Sequence, residues 1–261
     1  MDPWPEGVGR EVHDALDSTN AEALRRAAAG AAGPLWILAR TQTAARGRRG
    51  RSWASPAGAF AATLLMRPDG PPAAAALRSF VAALGLSDAL AAATGRPDAF
   101  AVKWPNDVLL HGRKLAGILL ETGGPAGGPL TLAIGIGVNL ARAPDPEALE
   151  PEATAPASLA GAFGGAPDPE AFLDLLAPAT ARWEARLRAD GFAPVRAAWL
   201  ARAARLGAPL RARLPGREIE GVFETIDETG ALVLATPGGR ATLAAAEIHF
   251  PDETPAHAAR D

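Results

Sequence analysis

Residues 130–140, LTLAIGIGVNL, carry apolar side chains on both faces of an extended chain. Such a strand belongs inside a sheet, because an open face would leave Leu, Ile and Val in water. The rest of the chain must supply strands to flank it and helices to cover it. Strands are expected at 35–40, 60–66 and 99–104. A hairpin is expected over 107–121, where DVLL and KLAGILLE flank a two-residue His111-Gly112 turn. Thr19 and Glu22 have capping-box spacing ahead of an Ala/Leu/Arg run, which predicts a helix over 19–29. Residues 73–94 read as a long apolar helix with Leu77, Val81 and Leu84 on one face. Asp168-Pro169 starts another helix, carrying Phe172, Leu176, Trp183 and Leu187, with a break or kink expected at Pro178. A further helix is expected over 194–205, and the Pro-rich stretch 143–157 reads as a loop.

From Gly207 the texture changes. PLRARL, REIEGVFETID, GALVLATP and GRATLAAAEIHF are short alternating strands, with turns at Pro215-Gly216, Glu228-Thr229-Gly230 and Gly238-Gly239. The reading is a main domain over 8–206, a small β-barrel over 207–250 and a frayed tail over 251–261.

Composition excludes several function classes. There is no cysteine, so disulfides, thiolate metal sites and cysteine nucleophiles are ruled out. The four histidines, at 13, 111, 249 and 257, lack metal-ligand spacing. A net charge of −3 does not suit general adhesion to nucleic acid or anionic membrane. No apolar run is read as reaching the roughly 20 residues of a membrane span, and the N-terminus lacks a signal-peptide pattern. A cytoplasmic protein with no membrane partner is expected.

Only two of the 26 basic residues are lysine, and both lie in KWPNDVLLHGRK, as Lys103 and Lys114. The asparagines are Asn20, Asn106 and Asn139, and the single glutamine is Gln42. Residue types that a chain otherwise avoids mark positions where a substitute fails. A lysine presents a compact point charge and an arginine a planar fork, so a site sized for an ammonium resists exchange. Two lysines on neighbouring strands can converge on one anion; the alternative is two surface lysines. Trp104-Pro105 holds the chain extended after a strand and sets Asn106 and Asp107 at a strand-to-hairpin junction.

The loop ARTQTAARGRRGRSW holds Arg40, Arg46, Arg48, Arg49 and Arg51 without an acidic residue between them. Gly47 and Gly50 let the backbone bend close to a ligand, and arginine forks bind phosphate or carboxylate at two points. Three readings stay open: an anion-binding catalytic loop, a nucleic-acid arm and a solvated loop. Gly117 marks either close approach of a ligand or a packing position in a crowded sheet. IGIGVN lacks the third glycine and helix opening of a dinucleotide fingerprint, and no P-loop occurs.

Taken in order and at these spacings, DSTN, Q-x-x-x-RGRRGR-x-W, KWPND, GRKLAGILLE and GIGVN resemble the biotin–protein ligases over roughly residues 10–250. The set is highly specific, although each motif alone is weak. The resemblance implies an α+β fold, a mixed sheet with flanking helices related to class II aminoacyl-tRNA synthetases, followed by an SH3-like barrel. It implies ATP and biotin as substrates, with Mg2+ expected and its ligands unassigned. A biotin carboxyl carrier domain of a biotin-dependent carboxylase is the implied partner. Carried over by position, Ser18, Thr19, Asn20 and Gln42 hold the polar head of biotin. Arg46, Gly47 and Arg48 run along biotin and the phosphates, and Trp53 and Gly117 pack on the ligand. Lys114 contacts the biotin carboxyl or carbonyl oxygen, Lys103 the reacting phosphate and Arg51 the outgoing phosphates. Asn106 and Asn139 are adenylate contacts, and Asp107 orients the site or a magnesium ion. Arg48, Lys103 and Lys114 form the catalytic set.

The family often has glycine before RGRRGR, where this chain has Ala45. Some members carry a DNA-binding helix-turn-helix domain. Only 17 residues precede Ser18, too few for three helices of about 11 residues, so no DNA partner is expected. Members often dimerise through the sheet, which leaves a homodimer among the expected states. The competing classes are a lipoate or octanoyl transferase of the same fold and a non-enzymatic nucleic-acid module built on the arginine loop.

Overall fold

The computed structural model describes residues 2–124, 128–149 and 153–250. The tail expected over 251–261 lies outside the described residues. In chain order the elements are β1 (Gly9–Leu16), α1 (Thr19–Ala28), β2 (Leu35–Gln42), β3 (Phe60–Met66), α2 (Pro72–Ala75), α3 (Arg78–Thr94), β4 (Phe100–Lys103), β5 (Asp107–Leu110), β6 (Arg113–Gly123) and β7 (Thr131–Val138). There follow α4 (Leu159–Phe163), α5 (Pro169–Asp190), α6 (Phe192–Leu200), β8 (Pro209–Leu214), β9 (Arg217–Ile226), β10 (Leu232–Thr236), β11 (Gly239–Leu243) and β12 (Glu247–His249).

Seven strands form one mixed sheet in the order β1-β2-β3-β7-β6-β5-β4, with β7 in the middle as its apolar pattern requires. The period of two then divides β7. Leu132, Ile134, Ile136 and Val138 face the main core, where α3 and α5 supply Val81, Leu84, Phe172 and Leu176. Ala133 faces the other side, against Ala23 and Ala27 of α1. Gly135 and Gly137 share that second face, which leaves bare backbone beside α1. Burial of Trp36, Phe60, Phe172 and Trp199 is essentially complete, worth about 1.5–3 kcal/mol for each large apolar side chain.

The second sheet is antiparallel, in the order β11-β10-β9-β8-β12, and forms the SH3-like unit. It shares its core with the first sheet. Phe80 of α3 packs edge-on to Trp199 of α6 at 5.4 Å, and Trp199 packs on Phe223 of β9 at 6.5 Å. Trp104 Nε1 also donates to the Gly230 carbonyl at 2.9 Å in a buried bond.

Several local expectations change. β1 went unread because it is a half-exposed edge strand whose charges mask its alternation; Arg10 pairs with Asp174 of α5 at 2.7 Å. The cap of α1 is Ser18, whose hydroxyl accepts from the Ala21 N–H. Glu22 therefore lies one residue too late for a capping box, and it pairs with Arg25 and Arg26 instead. The apolar segment 73–94 is interrupted between α2 and α3. By length and composition Ala73–Thr94 reaches the size of a membrane span, contrary to expectation, yet most of it is buried in the core. α5 runs unbroken through Pro178, α6 begins at Phe192 and ends at Leu200, and the short α4 was not anticipated. Between β10 and β11 the turn is Pro237-Gly238, and 239–250 divides into β11 and β12.

Candidate functional site

A cavity of about 330 Å³ opens where the start of α1, the arginine loop, the ends of β4 to β7 and β12 meet. Ser18, Thr19, Asn20, Gln42, Arg46, Gly47, Arg48, Arg51, Trp53, Lys103, Asn106, Asp107, Lys114, Gly117 and Asn139 all line it. The fold thus brings every residue singled out for the site to one place.

One end is lined by the uncharged polar side chains of Ser18, Thr19, Asn20 and Gln42. Asp17 fixes the start of α1 by accepting from the Ser18 N–H at 2.7 Å while the Arg25 fork grips its carboxylate. Hydrogen bonds from Arg25 first, then from Ser18, hold Asp17 well below the usual carboxylate range. Gln42 Oε1 accepts from the Thr19 N–H at 2.8 Å and from the Thr19 hydroxyl at 3.2 Å. Asn20 donates to Glu121 Oε2 at 2.7 Å, and its Oδ1 accepts from the Thr63 hydroxyl at 2.6 Å. These bonds fix the rotamers of Thr19, Asn20 and Gln42, all of which would otherwise pay for burial without partners.

The floor is made of glycine. Gly117 and Gly137 face each other in register on β6 and β7. A Cβ on Gly137 would stand 2.8 Å from Trp53 Nε1, and one on Gly117 would stand 3.1 Å from Trp53 Cζ3. The indole lies against this bare patch, so in this structure Gly117 is a packing position for Trp53. A Cβ on Gly135 would meet Asn20 Oδ1 at 2.3 Å. Trp53 Nε1 and Asn139 Oδ1 are buried with no hydrogen-bond partner among the described residues. Asn139 donates from Nδ2 to the Ala157 carbonyl at 3.0 Å.

The other end is cationic. Lys103 ends β4 and is 5% exposed; its ammonium donates to Thr154 Oγ1 at 3.0 Å and lies 4.6 Å from the Phe250 ring centre. Lys114, on β6, pairs with Asp107 Oδ2 at 2.9 Å. The two lysines do not stand on neighbouring strands, because β5 lies between them. A bulge brings Lys114 round. Val108 pairs with Ala116 and Leu109 with Lys114, which skips Leu115. Without that extra residue, alternation from Gly117 would turn Lys114 away from the Asp107 face. The hairpin turn beyond it uses positive φ at both His111 and Gly112, as a two-residue type I′ turn requires.

The arginine loop is closed at its base like a small hairpin. Trp53 N–H donates to the Ala45 carbonyl at 3.0 Å, Arg46 bridges Ser52, and Gly47 N–H donates to the Arg51 carbonyl at 2.7 Å. Arg48 Nη1 donates to Asn106 Oδ1 at 3.1 Å, while Asn106 Nδ2 donates to the Ile118 carbonyl at 2.5 Å. Arg46 lies 3.7 Å from Glu121. Arg51 forms a two-point pair with Glu247 of β12 at 2.6 and 2.9 Å. The side chain of Arg49 lies outside the described residues.

Thr63, Glu121, Gly135, Gly137, Thr154 and Glu247 were missed as site residues. Thr63 is the one hydroxyl in the apolar run FAATLLM, Glu121 closes the quoted KLAGILLE, and Glu247 is the one acid in GRATLAAAEIHF. Those signals were legible, although none names a partner.

Residues 13–139 match the Biotin/lipoate A/B protein ligase family, and residues 206–250 match the Biotin protein ligase C terminal domain. The chain is 60% identical over 234 residues to a biotin–[acetyl-CoA-carboxylase] ligase of Paracoccus denitrificans, covering 90% of this chain and 97% of that one. It is 35% identical over 238 residues to the enzyme of the same name from Mycobacterium tuberculosis, covering 88% and 85%. Its fold matches a biotin protein ligase from Aquifex aeolicus, solved with biotin and ATP, at a TM-score of 0.78 and 23% identity, covering 92% and 97%.

Proposed function

We infer the reaction from one premise: the chain belongs to the biotin protein ligase family. It catalyses ATP-dependent biotinylation through biotinyl-5′-AMP, with the main unit assigned to residues 8–206 and the SH3-like unit to 207–250. The observation that carries this reading is a single cavity with an uncharged polar end, a glycine floor and a cationic end. Biotin has the same sequence of parts: a neutral ureido ring, an apolar thioether ring with its alkyl chain, and a carboxylate.

Ser18, Thr19, Asn20 and Gln42 hold the ureido head. The ring system lies beside Trp53, whose indole covers Gly117 and Gly137. Lys114 then meets the biotin carboxylate. That carboxylate is already ionised at pH 7, since a carboxyl pKa is about 4, so adenylation needs no general base. It needs two anions held together. One carboxylate oxygen attacks the α-phosphorus, and the bond to the bridging oxygen of pyrophosphate breaks. Lys103 and Arg48 stabilise charge on the transferring phosphoryl group, Arg46 and Gly47 line the path, and Arg51 receives the outgoing pyrophosphate. Asn106 and Asn139 hold the adenylate. The acceptor amine, on a carboxylase carrier domain, then attacks the acyl carbon and AMP leaves. The work is placed in the cytoplasm.

Mg2+ fits this scheme as a companion of ATP. Among the described residues no group of three acidic or histidine side chains could hold a metal, and Asp107 already pairs with Lys114. Magnesium is commonly held by substrate phosphates and few protein ligands, and it offsets phosphate charge when bound.

The test is biotin-dependent exchange of labelled pyrophosphate into ATP by the purified chain, followed by transfer to a carrier domain. Exchange supported by lipoate and not by biotin would favour the transferase reading. Absence of exchange, together with tight and strongly salt-dependent nucleic-acid binding, would favour the binding-module reading.

A further inference from the structure

The two-point pair between Arg51 and Glu247 is not used by the reaction as derived. It joins the arginine loop to a different unit, across 196 residues of sequence. Glu247 is held firmly in place. Its neighbours Ala246 and Ile248 are both buried in the common core, so strand alternation turns the carboxylate out to the cavity that Arg51 also lines. The sheet carrying it is fastened by the buried Trp104–Gly230 bond and by Phe250 against Lys103. Glu247 is therefore a fixed point, and the loop is tied to it.

A carboxylate that grips an arginine at two points occupies the donors that a phosphate would use. Arg51 cannot give both outer nitrogens to Glu247 and to pyrophosphate at once. We propose that Glu247 is a positioning residue that exchanges with polyphosphate for Arg51. It holds the loop before ATP arrives, yields Arg51 to the β- and γ-phosphates, and takes it back when pyrophosphate leaves, so that the loop closes over the adenylate. This rests on the biotin ligase reading above. A second cation lies close by, since Arg213 stands opposite Glu247 in the β8–β12 ladder, with its Nε donating to Glu218 at 2.9 Å. It also suits a step that must reverse each turnover. The side chains of Arg51 and Glu247 remain 45% and 26% exposed, and pairs with that exposure are weak enough to part.

The experiment uses the full chain with Glu247→Gln, which keeps size and removes charge. Inorganic pyrophosphate is titrated by calorimetry in the presence of biotin, with no turnover required. Release of preformed biotinyl-5′-AMP is followed separately. The proposal expects opposite changes: pyrophosphate binds about threefold tighter or better, since it no longer displaces a carboxylate, while the adenylate leaves about threefold faster. Glu247→Asp, which retains the charge, should stay closer to the parent in both. A merely structural ion pair predicts otherwise: pyrophosphate binding in Glu247→Gln would be unchanged or weaker. Either result, or unchanged adenylate release, overturns the proposal. Biotin-dependent exchange by the parent chain distinguishes the two levels. Its absence would remove the ligase reading and this proposal together, whereas its presence beside an unresponsive Glu247→Gln would remove this proposal alone.

Discussion

The floor and the arginine loop shape the same cavity by opposite means. The floor works by omission. Gly117, Gly135 and Gly137 carry no side chains, and the space they leave is taken by Trp53 and Asn20. Its geometry is set by strand pairing on both sides of β7, which neither salt nor modest pH change disturbs. The loop works by charge. Arg46, Arg48 and Arg51 reach out to Glu121, Asn106 and Glu247, each on a different element. Such contacts are individually weak, screened by salt and exchangeable. A rigid, shape-selecting floor suits the binding of one small molecule. A charged loop with replaceable partners suits phosphates that arrive and leave.

The largest effect is expected in the floor. Gly135→Ala would set a methyl group 2.3 Å from Asn20 Oδ1, which forces Asn20 off Glu121 and Thr63. Biotin affinity should fall about a hundredfold, from overpacking together with broken buried hydrogen bonds. Calorimetry checks this, and affinity within a few-fold of the parent would break the claim that omission defines the floor.

Lys114→Arg tests the joint between the two regions. The fork keeps the charge but does not fit where one ammonium meets Asp107 at 2.9 Å. Adenylate formation should slow about tenfold or more, corresponding to about 1.4 kcal/mol. Single-turnover formation at the parent rate would show that lysine scarcity carried no message here.

In the loop, Arg48→Gly removes the contact to Asn106 and, on the proposed reading, a charge-assisted contact to the adenylate worth about 1.5–3 kcal/mol. Adenylate release should accelerate roughly tenfold to a hundredfold with biotin affinity little changed. Equal losses in both would dissolve the distinction between floor and loop.

The smallest effect calibrates what a solvated ion pair contributes. Asp17 is held below the usual carboxylate range by Arg25 and then by the Ser18 N–H. A depressed folded value stabilises above the unfolded pKa of about 4 and loses that stabilisation as pH falls through the folded value. Asp17→Asn should lower stability at pH 7 by at most about 0.5 kcal/mol, because the pair is half exposed. Thermal melts should show the gap narrowing below about pH 4. A gap that widens in acid would reverse the assigned sign.

Much of this was legible in order along the chain. The double-faced apolar pattern of 130–140 placed β7 inside a sheet, and His111-Gly112 set a hairpin whose turn has the required positive φ values. Survivors of scarce residue types pointed to Asn20, Gln42, Asn106, Asn139 and both lysines, all of which line the cavity. What escaped had a long-range cause. β1 is held by a parallel partner and by ion pairs to α5, neither of which its own sequence announces. Thr63 is a lone hydroxyl within its apolar strand, and its partner Asn20 lies 43 residues away in sequence.

Apart from β1 and α4, the sequence by itself determined which segments extend, which coil and where the chemistry-bearing side chains fall along them, because periodicity, turn residues and caps act over a few neighbours. Only the tertiary structure decided what those side chains face. The bulge opposite Val108 and Leu109 turns Lys114 toward Asp107, the docked second sheet sets Phe250 under Lys103, and Glu247 meets Arg51 from the far end of the chain. Those pairings depend on how strands register and sheets dock, and no local propensity encodes either.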